Sequence, residues 1–350
     1  MNWISKWKLP KLFCWSWSGE PSKTLRYDQV MPKSRDRRKS IRERELLIED
    51  QIEAAWTRLL AREGLDFKHR PIDLMRPSRE RTAVQAAERY LQPWLRLFQE
   101  QIAWLGAYNL LWRMKHDSDS ISRADRLPFE LLSTVVNNAA AVHRLVRSGF
   151  DYQAKSMLRV MIESAYLSLA LLADRNLRIG FIAAVEPEDA RRFWRQRLGG
   201  RHIAAILARV ESQLEIDFHS QSDLAEWRQA TSEWLSQFVH PNYLTAVIGG
   251  YAWDPRNDSL DLLRPNTFGR CCAGSRSTLA KAFRMLWYFC AFFYSVAHTG
   301  LNGAPRFSPD AKDDVESAMV VLGYDIVLAA GNRWWEVDEE EGYEEPPDDE

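Results

Sequence analysis

Apolar residues recur at helical spacing along most of the chain, and the breaks between them fall at proline, glycine and polar runs. From Ile41 onward, Ile48, Ile52, Ala55, Trp56 and Leu59 share one helical face, and Gly64 stops that helix. Residues 65–78 contain Pro71 and Pro77 and read as a loop. A helical stretch follows over 79–115, where Val84, Ala87, Leu91, Trp94, Phe98, Ile102, Leu105 and Trp112 keep the period and Pro93 kinks or splits it. Asp125 and Pro128 mark the next start. Its core face is Phe129, Leu132, Val135, Val136, Ala139, Val142 and Val146, ended by Gly149. Asp151 is the expected N-cap of a helix running to Ala173. Further helices are predicted over 177–184, 187–198, 201–214 and 222–239, with Gly199-Gly200 dividing two of them.

The period changes after Pro241. Thr245–Ile248 and Tyr251–Trp253 hold β-branched and aromatic residues, 254–258 (DPRND) is a turn, and Ser259–Leu263 is a candidate return strand. Helices over 275–298 and 310–330 complete the pattern. There is no fixed repeat and no alternation of strands with helices. The predicted fold class is therefore mainly α, a multi-helix bundle with one small β-hairpin candidate near 245–263. The predicted organisation is a basic, aromatic arm and linker over 1–40, a helical region over 41–115, the main helical domain over 125–332, and an acidic tail over 333–350.

The longest apolar run, Met285–Ala297, is thirteen residues interrupted only by Ser295. A bilayer span needs about 20, so the run predicts a buried helix, and no transmembrane segment is expected. The start, MNWISKWKLPKLFCWSW, has its apolar residues broken by Lys6, Lys8, Pro10 and Lys11 and is not a secretory signal. It suits an aromatic arm that packs on a partner or on the chain's own core. Peripheral contact with a membrane surface is the second reading.

Composition adds three constraints. Hydrophobic residues make up 46% of the 350, ordinary for a globular chain, but fifteen are tryptophan. Tryptophan favours cores and interfaces, so a core load with some left for a partner surface is expected. The formal net charge is −1, which argues against a protein coated for nucleic acid. That balance hides opposite ends: twelve Lys/Arg against five Asp/Glu in 1–45, and ten Asp/Glu with no Lys/Arg in 336–350. Four cysteines, Cys14, Cys271, Cys272 and Cys290, form no C-x-x-C pair, which suits a reducing compartment and a cytoplasmic setting. The histidines show no metal-ligand spacing and the glycine pairs no phosphate-loop pattern, so no metal or cofactor is expected.

One polar constellation stands out. The stretch 156–173, SMLRVMIESAYLSLALLA, is apolar nearly all round and carries only two charges, Arg159 and Glu163, four apart on one face. A lone buried charge costs several kcal/mol (order of magnitude), so both are expected to be paired or to line a cleft, with other polar groups converging on them in the interior. The candidates lie in WLSQFVHPNY, where Ser236 and His240 are also four apart and Pro241 ends the helix after His240. A helix C-terminus and a nearby Glu163 would both favour a proton on that imidazole. Arg159, Glu163, Ser236 and His240 thus form a candidate catalytic cluster, with His240 as acid–base group and Arg159 holding an anion. Plainer accounts stand beside it: an ion pair fixing helix register, a serine bonded to its own backbone, and a C-capping histidine. The cluster Arg191, Arg192, Arg195 and Arg197 reads as a solvated face or a phosphate contact.

The R-x-x-x-E helix after a glycine-containing turn, with the later S-x-x-x-H-P element, resembles uncharacterised all-helical bacterial families, some of them beside defence genes, and distantly the helical nuclease and nucleotide-binding bundles called HEPN. The likeness covers about residues 128–300 and implies a helical, intracellular protein. HEPN nucleases carry an Arg four to six residues before a His on one helix. Arg197 and His202 have that spacing, but Gly199-Gly200 interrupts it. Two functions are expected from these readings. The first is a non-catalytic helical interaction or regulatory protein, a subunit of a defence assembly, with a protein partner or a second copy. The second is a metal-independent ribonuclease or anion- or nucleotide-binding bundle, with RNA or nucleotide as ligand.

Overall fold

The computed structural model describes residues 54–58, 61–62, 64, 71–116, 121–214, 224–239, 251–252, 264–265 and 269–334. The chain divides into two compact units, 1–70 and 71–350. In the first, the described residues 54–58 and 61–62 are helical.

The second unit is a helical bundle, as the apolar period predicts. Its elements in order are α1 (Pro71–Tyr90), α2 (Trp94–Lys115), α3 (Arg123–Arg147), α4 (Asp151–Ala173), α5 (Arg175–Ala183), α6 (Pro187–Phe193), a π-turn (Trp194–Leu198), α7 (Gly200–Leu214), α8 (Leu224–Val239), α9 (Ala273–Thr299) and α10 (Val315–Trp334). Two residues of β1 (Tyr251–Ala252) pair antiparallel with β2 (Arg264–Pro265), Tyr251 opposite Pro265 and Ala252 opposite Arg264. The pairing thus falls on Arg264–Pro265, beyond the expected return strand at Ser259–Leu263. Those residues and Thr245–Ile248 lie outside the described residues.

Four helices close a ring in which α2 packs on α3, α3 on α4, α4 on α9 and α9 on α2. Helices α7 and α8 flank α4, and α10 lies against α2 and α9. The predicted face of α3 is the observed one: Phe129, Leu132, Val135, Ala139, Val142 and Val146 are fully buried and Val136 partly so. The run Met285–Ala297 is core, with only Ser295 half-buried. Aromatic rings fill the ring's centre. Trp112 stacks on Phe129 at 4.5 Å between centroids, and Tyr108 meets Phe293 edge-on. Buried aromatic pairs each add about 0.5–1.5 kcal/mol beyond their area.

Several boundaries differ from the sequence expectation. Residues 71–78, read as loop, belong to α1: Pro71 takes its first position, where a missing N–H loses no intrahelical bond, and Pro77 is carried inside the helix. Pro93 splits the 79–115 stretch rather than kinking it. Helix α3 begins at Arg123, capped by Ser122, whose Oγ accepts from Asp125 N at 3.1 Å. Asp151 is not an N-cap: it is the first helical residue, and Phe150 precedes it without a side-chain cap. Gly149, with φ +77°, makes the turn into α4, and its carbonyl accepts from Arg270 N at 3.0 Å.

Candidate functional site

Helix α4 carries a ladder of charges four residues apart: Asp151, Lys155, Arg159 and Glu163. This spacing keeps them on one slowly rotating face, and the middle of that face meets α8. Arg159 Nε donates to Glu163 Oε1 at 2.9 Å, and Arg159 Nη1 donates to Ser236 Oγ on α8. Three of the four expected site residues therefore do come together. His240, the fourth, lies outside the described residues.

Their surroundings differ from the expectation. Arg159 has 22% of its side chain exposed and Glu163 60%. The pair sits at the rim of the α4–α8 seam, where Arg159 reaches across to Ser236 while Glu163 faces solvent. The two charges are paired, as expected, but the interior placement does not hold at Glu163, whose carboxylate is solvated. Ser236 Oγ also donates to Ser232 O at 2.8 Å. Its proton is thus held by a main-chain carbonyl of its own helix while the oxygen accepts from Arg159. No base among the described residues takes that proton.

The buried charges on α4 are the two that sequence reasoning passed over. Lys155 Nζ lies 2.6 Å from Asp151 Oδ2, and each side chain is only 9% exposed. Thr278 Oγ1 on α9 donates to Asp151 Oδ1 at 2.6 Å. The Lys155 ammonium also lies 4.9 Å from the Phe238 ring centroid and 5.6 Å from that of Trp234, and Lys281 Nζ lies 5.0 Å from Trp234. Such cation–π contacts are worth about 0.5–2 kcal/mol, more when desolvated. Cys272 caps α9 in this corner beside Ser275. Burial and the Asp151 carboxylate push its thiol pKa up, so it is held as a neutral thiol. Burial likewise raises the Cys271 thiol, and the vicinal pair is two free cysteines. The signal for Asp151–Lys155 was present as an i, i+4 pair, but the cap reading of Asp151 masked it.

Two further buried polar knots tie the flanking helices down. Arg178 on α5 is fully buried and donates to Leu171 O, Leu172 O and Gly303 O at 2.9, 2.6 and 2.8 Å, with Asp125 Oδ1 at 3.2 Å. It thus satisfies the open carbonyls at the end of α4. Arg228 on α8 pairs with Glu211 on α7, Nε to Oε1 at 2.8 Å, and Tyr288 Oη donates to the same carboxylate at 2.5 Å. Burial first, then that carboxylate, push the Tyr288 phenol pKa well up, so it stays a hydrogen-bond donor.

The most unusual surface is apolar. On α10, Val315, Met319, Leu322 and Ile326 point outward, and on α2 so do Leu110 and Met114; all six are 60–72% exposed. The opposite face of α10 is also apolar and buried, through Val320 and Val327. The helices run antiparallel side by side: Trp104 Nε1 donates to Val320 O at 2.9 Å, and Lys115 pairs with Asp314 further along. Helix α10 sits close because Gly323 and Gly331 face Trp104 and Trp287. The outward positions step by 4, 3 and 4 on both helices: Val315, Met319, Leu322, Ile326, and Ala103, Ala107, Leu110, Met114. Charges border the patch. Arg96 pairs with Glu100 at one end, and Lys115 with Asp314 at the other.

Two described helices are long and apolar enough to cross a membrane by length and hydropathy, Asp151–Ala173 and Val315–Arg333. The first is mostly buried as the core helix α4. The second is α10, of which only 22% is buried. Its neighbour α2 holds the Arg96–Glu100 pair in line with its apolar stripe, and those charges do not suit a hydrocarbon environment. No family model, curated protein or solved structure matches the chain.

Proposed function

We propose that this chain is a non-catalytic helical interaction protein, and that its docking face is the outer side of α2 and α10. The observation that carries this reading is the set of six large apolar side chains on two adjacent helices, each at least 60% exposed. Contiguous apolar surface of this kind, rimmed by polar residues, marks interaction sites. An apolar centre with a charged edge is also the anatomy of protein interfaces. The 4-3-4 step selects a helical partner, since helices that pack along their length present knobs at an average of about 3.5 residues. The polar knots at Asp151–Lys155, Arg178 and Glu211–Arg228 support the same reading, because each pairs its charge within the chain and ties one helix to another.

A photo-cross-linking residue at Leu322, in cells producing the full chain, tests this. Adducts that map by mass spectrometry to a helical segment of a polypeptide are expected. Adducts to lipid alone, or none, would overturn the reading.

A further inference from the structure

A second region carries charge that the docking face does not use. The segment 187–201 (PEDARRFWRQRLGGR) holds five arginines and two acids, Glu188 and Asp189, a local net of +3. Elsewhere in the bundle surface arginines meet carboxylates, as in Arg96–Glu100, Arg147–Glu88 and Arg209–Asp174. Here Arg192 lies 3.7 Å from Asp189 with both side chains more than half exposed, so that pair holds little. Among the described residues, Arg195, Arg197 and Arg201 have no carboxylate within ion-pair reach. Arg191 donates from Nε to Pro187 O at 3.3 Å, and its terminal nitrogens have no acceptor among the described residues. Arg191 and Arg195 also stand four apart, where like charges cost about 0.2–0.5 kcal/mol.

The backbone beneath these side chains is fixed. Phe193 anchors α6: its ring abuts Gly180 and meets the Phe181 ring edge-on at 6.3 Å between centroids. Leu198, 2% exposed, anchors the π-turn. Such turns are rare and recur at functional sites. A cleft of about 460 Å³, within the size range of small-ligand sites, is lined among the described residues by Glu188, Arg191, Arg192, Arg195 and Gln196. Three guanidinium groups against one carboxylate select an anion, and each planar fork matches a pair of phosphate oxygens. Three forks offer more donors than one phosphate group takes, so they favour a ligand with several phosphates in a row. We infer that the α6/π-turn face binds a free small molecule carrying a chain of two or more phosphates, with Arg191, Arg192 and Arg195 holding it. This site stands apart from the α2/α10 docking face, and neither depends on the other.

Titration calorimetry of the purified full chain with inorganic triphosphate and orthophosphate, at about 0.15 M salt to screen diffuse attraction, tests this. Saturable binding of triphosphate is expected, about tenfold or more tighter than that of orthophosphate. The double variant Arg191→Ala/Arg195→Ala should weaken it about tenfold, equal to about 1.4 kcal/mol, with an unchanged thermal melt, since both side chains are exposed. Arg89→Ala/Arg144→Ala removes two exposed arginines from α1 and α3 and should bind as the wild type does. No saturable binding, an equal loss in both double variants, or orthophosphate as tight as triphosphate overturns the inference. Flotation with vesicles bearing phosphorylated inositol lipid, and gel shift of a single-stranded oligonucleotide, separate the other phosphate sources. Retention of the chain by either one while free triphosphate does not bind overturns the inference in favour of that surface or strand.

Discussion

Lys155 Nζ lies 2.6 Å from Asp151 Oδ2 in a corner closed by Trp234, Phe238 and Thr278, where neither side chain has more than a tenth of its surface in water. The pair is one turn from Arg159 on the same helix, yet its electrostatic setting is different. Breaking a buried pair by removing one partner costs about 3–5 kcal/mol, because the survivor is left charged and unpaired. Asp151→Asn and Lys155→Met are each expected to destabilise by about that much. The double variant should cost clearly less than the sum of the two, in denaturant titrations of all four proteins. Strict additivity would show that the two charges do not depend on one another.

Arg159 and Glu163 should behave differently. Glu163 is solvated, and exposed i, i+4 pairs contribute about 0.3–0.5 kcal/mol. Glu163→Gln is expected to leave the melting temperature nearly unchanged. Arg159→Ala also loses the bond to Ser236 and the packing of its stem, and should cost about 1–2 kcal/mol. A large loss from Glu163→Gln would mean that the carboxylate has partners among residues beyond those described.

Arg178 is expected to be the most sensitive single side chain on α5. Arg178→Met removes the donors to Leu171 O, Leu172 O and Gly303 O and leaves Asp125 without its cation. Unsatisfied buried carbonyls cost about 1–3 kcal/mol each, so a loss of at least 3 kcal/mol is anticipated. Hydrogen exchange should show the protection loss first at the C-terminal turn of α4 and in α5.

His143 gives a pH dependence of known sign. Burial, then the neighbouring Arg147, lower its pKa from the usual 6.5. The unfolded chain therefore binds the proton more readily, and stability must rise with pH where the two states differ in protonation. The contribution is full above about pH 6.5 and is lost as pH falls below it toward the folded pKa. Melting temperatures at pH 7.5 and 5.5 should differ more for the wild type than for His143→Gln. Equal differences would remove His143 from the account.

Gly331→Ala should destabilise, although alanine is the better helix former by about 1 kcal/mol. A Cβ built there would lie 1.7 Å from Trp287 Nε1, and Trp287 is itself buried. Forcing it aside costs about 1–3 kcal/mol. A raised melting temperature would show that Trp287 has room to move.

The helices of the bundle were legible because their apolar residues keep the period over many turns, as in α3 and in Met285–Ala297. Ends were less so. Ser122 caps α3 three residues before Asp125, and both residue types suit that role, so composition alone does not choose between them. At Asp151 the same ambiguity hid a buried ion pair behind a capping assignment. The Arg159–Ser236 contact followed from two four-residue spacings, but the depth of the pair did not. Depth depends on which side of the α4–α8 seam each side chain takes, which is a property of the packed bundle. The outer face of α10 was hidden for a related reason: a helix apolar on two sides reads as core until its neighbours are known to cover only one of them.

Gly323 and Gly331 bring the backbone of α10 down onto two indoles, Trp104 and Trp287, and one of these donates its ring proton to that backbone. Helix α10 is therefore seated on the chain's own chromophores. Any event that lifts α10 would hydrate Trp104 and shift its emission to longer wavelength, without an added label. A binding event confined to the outer stripe would leave that emission unmoved, so light alone can separate docking onto the helix from its release.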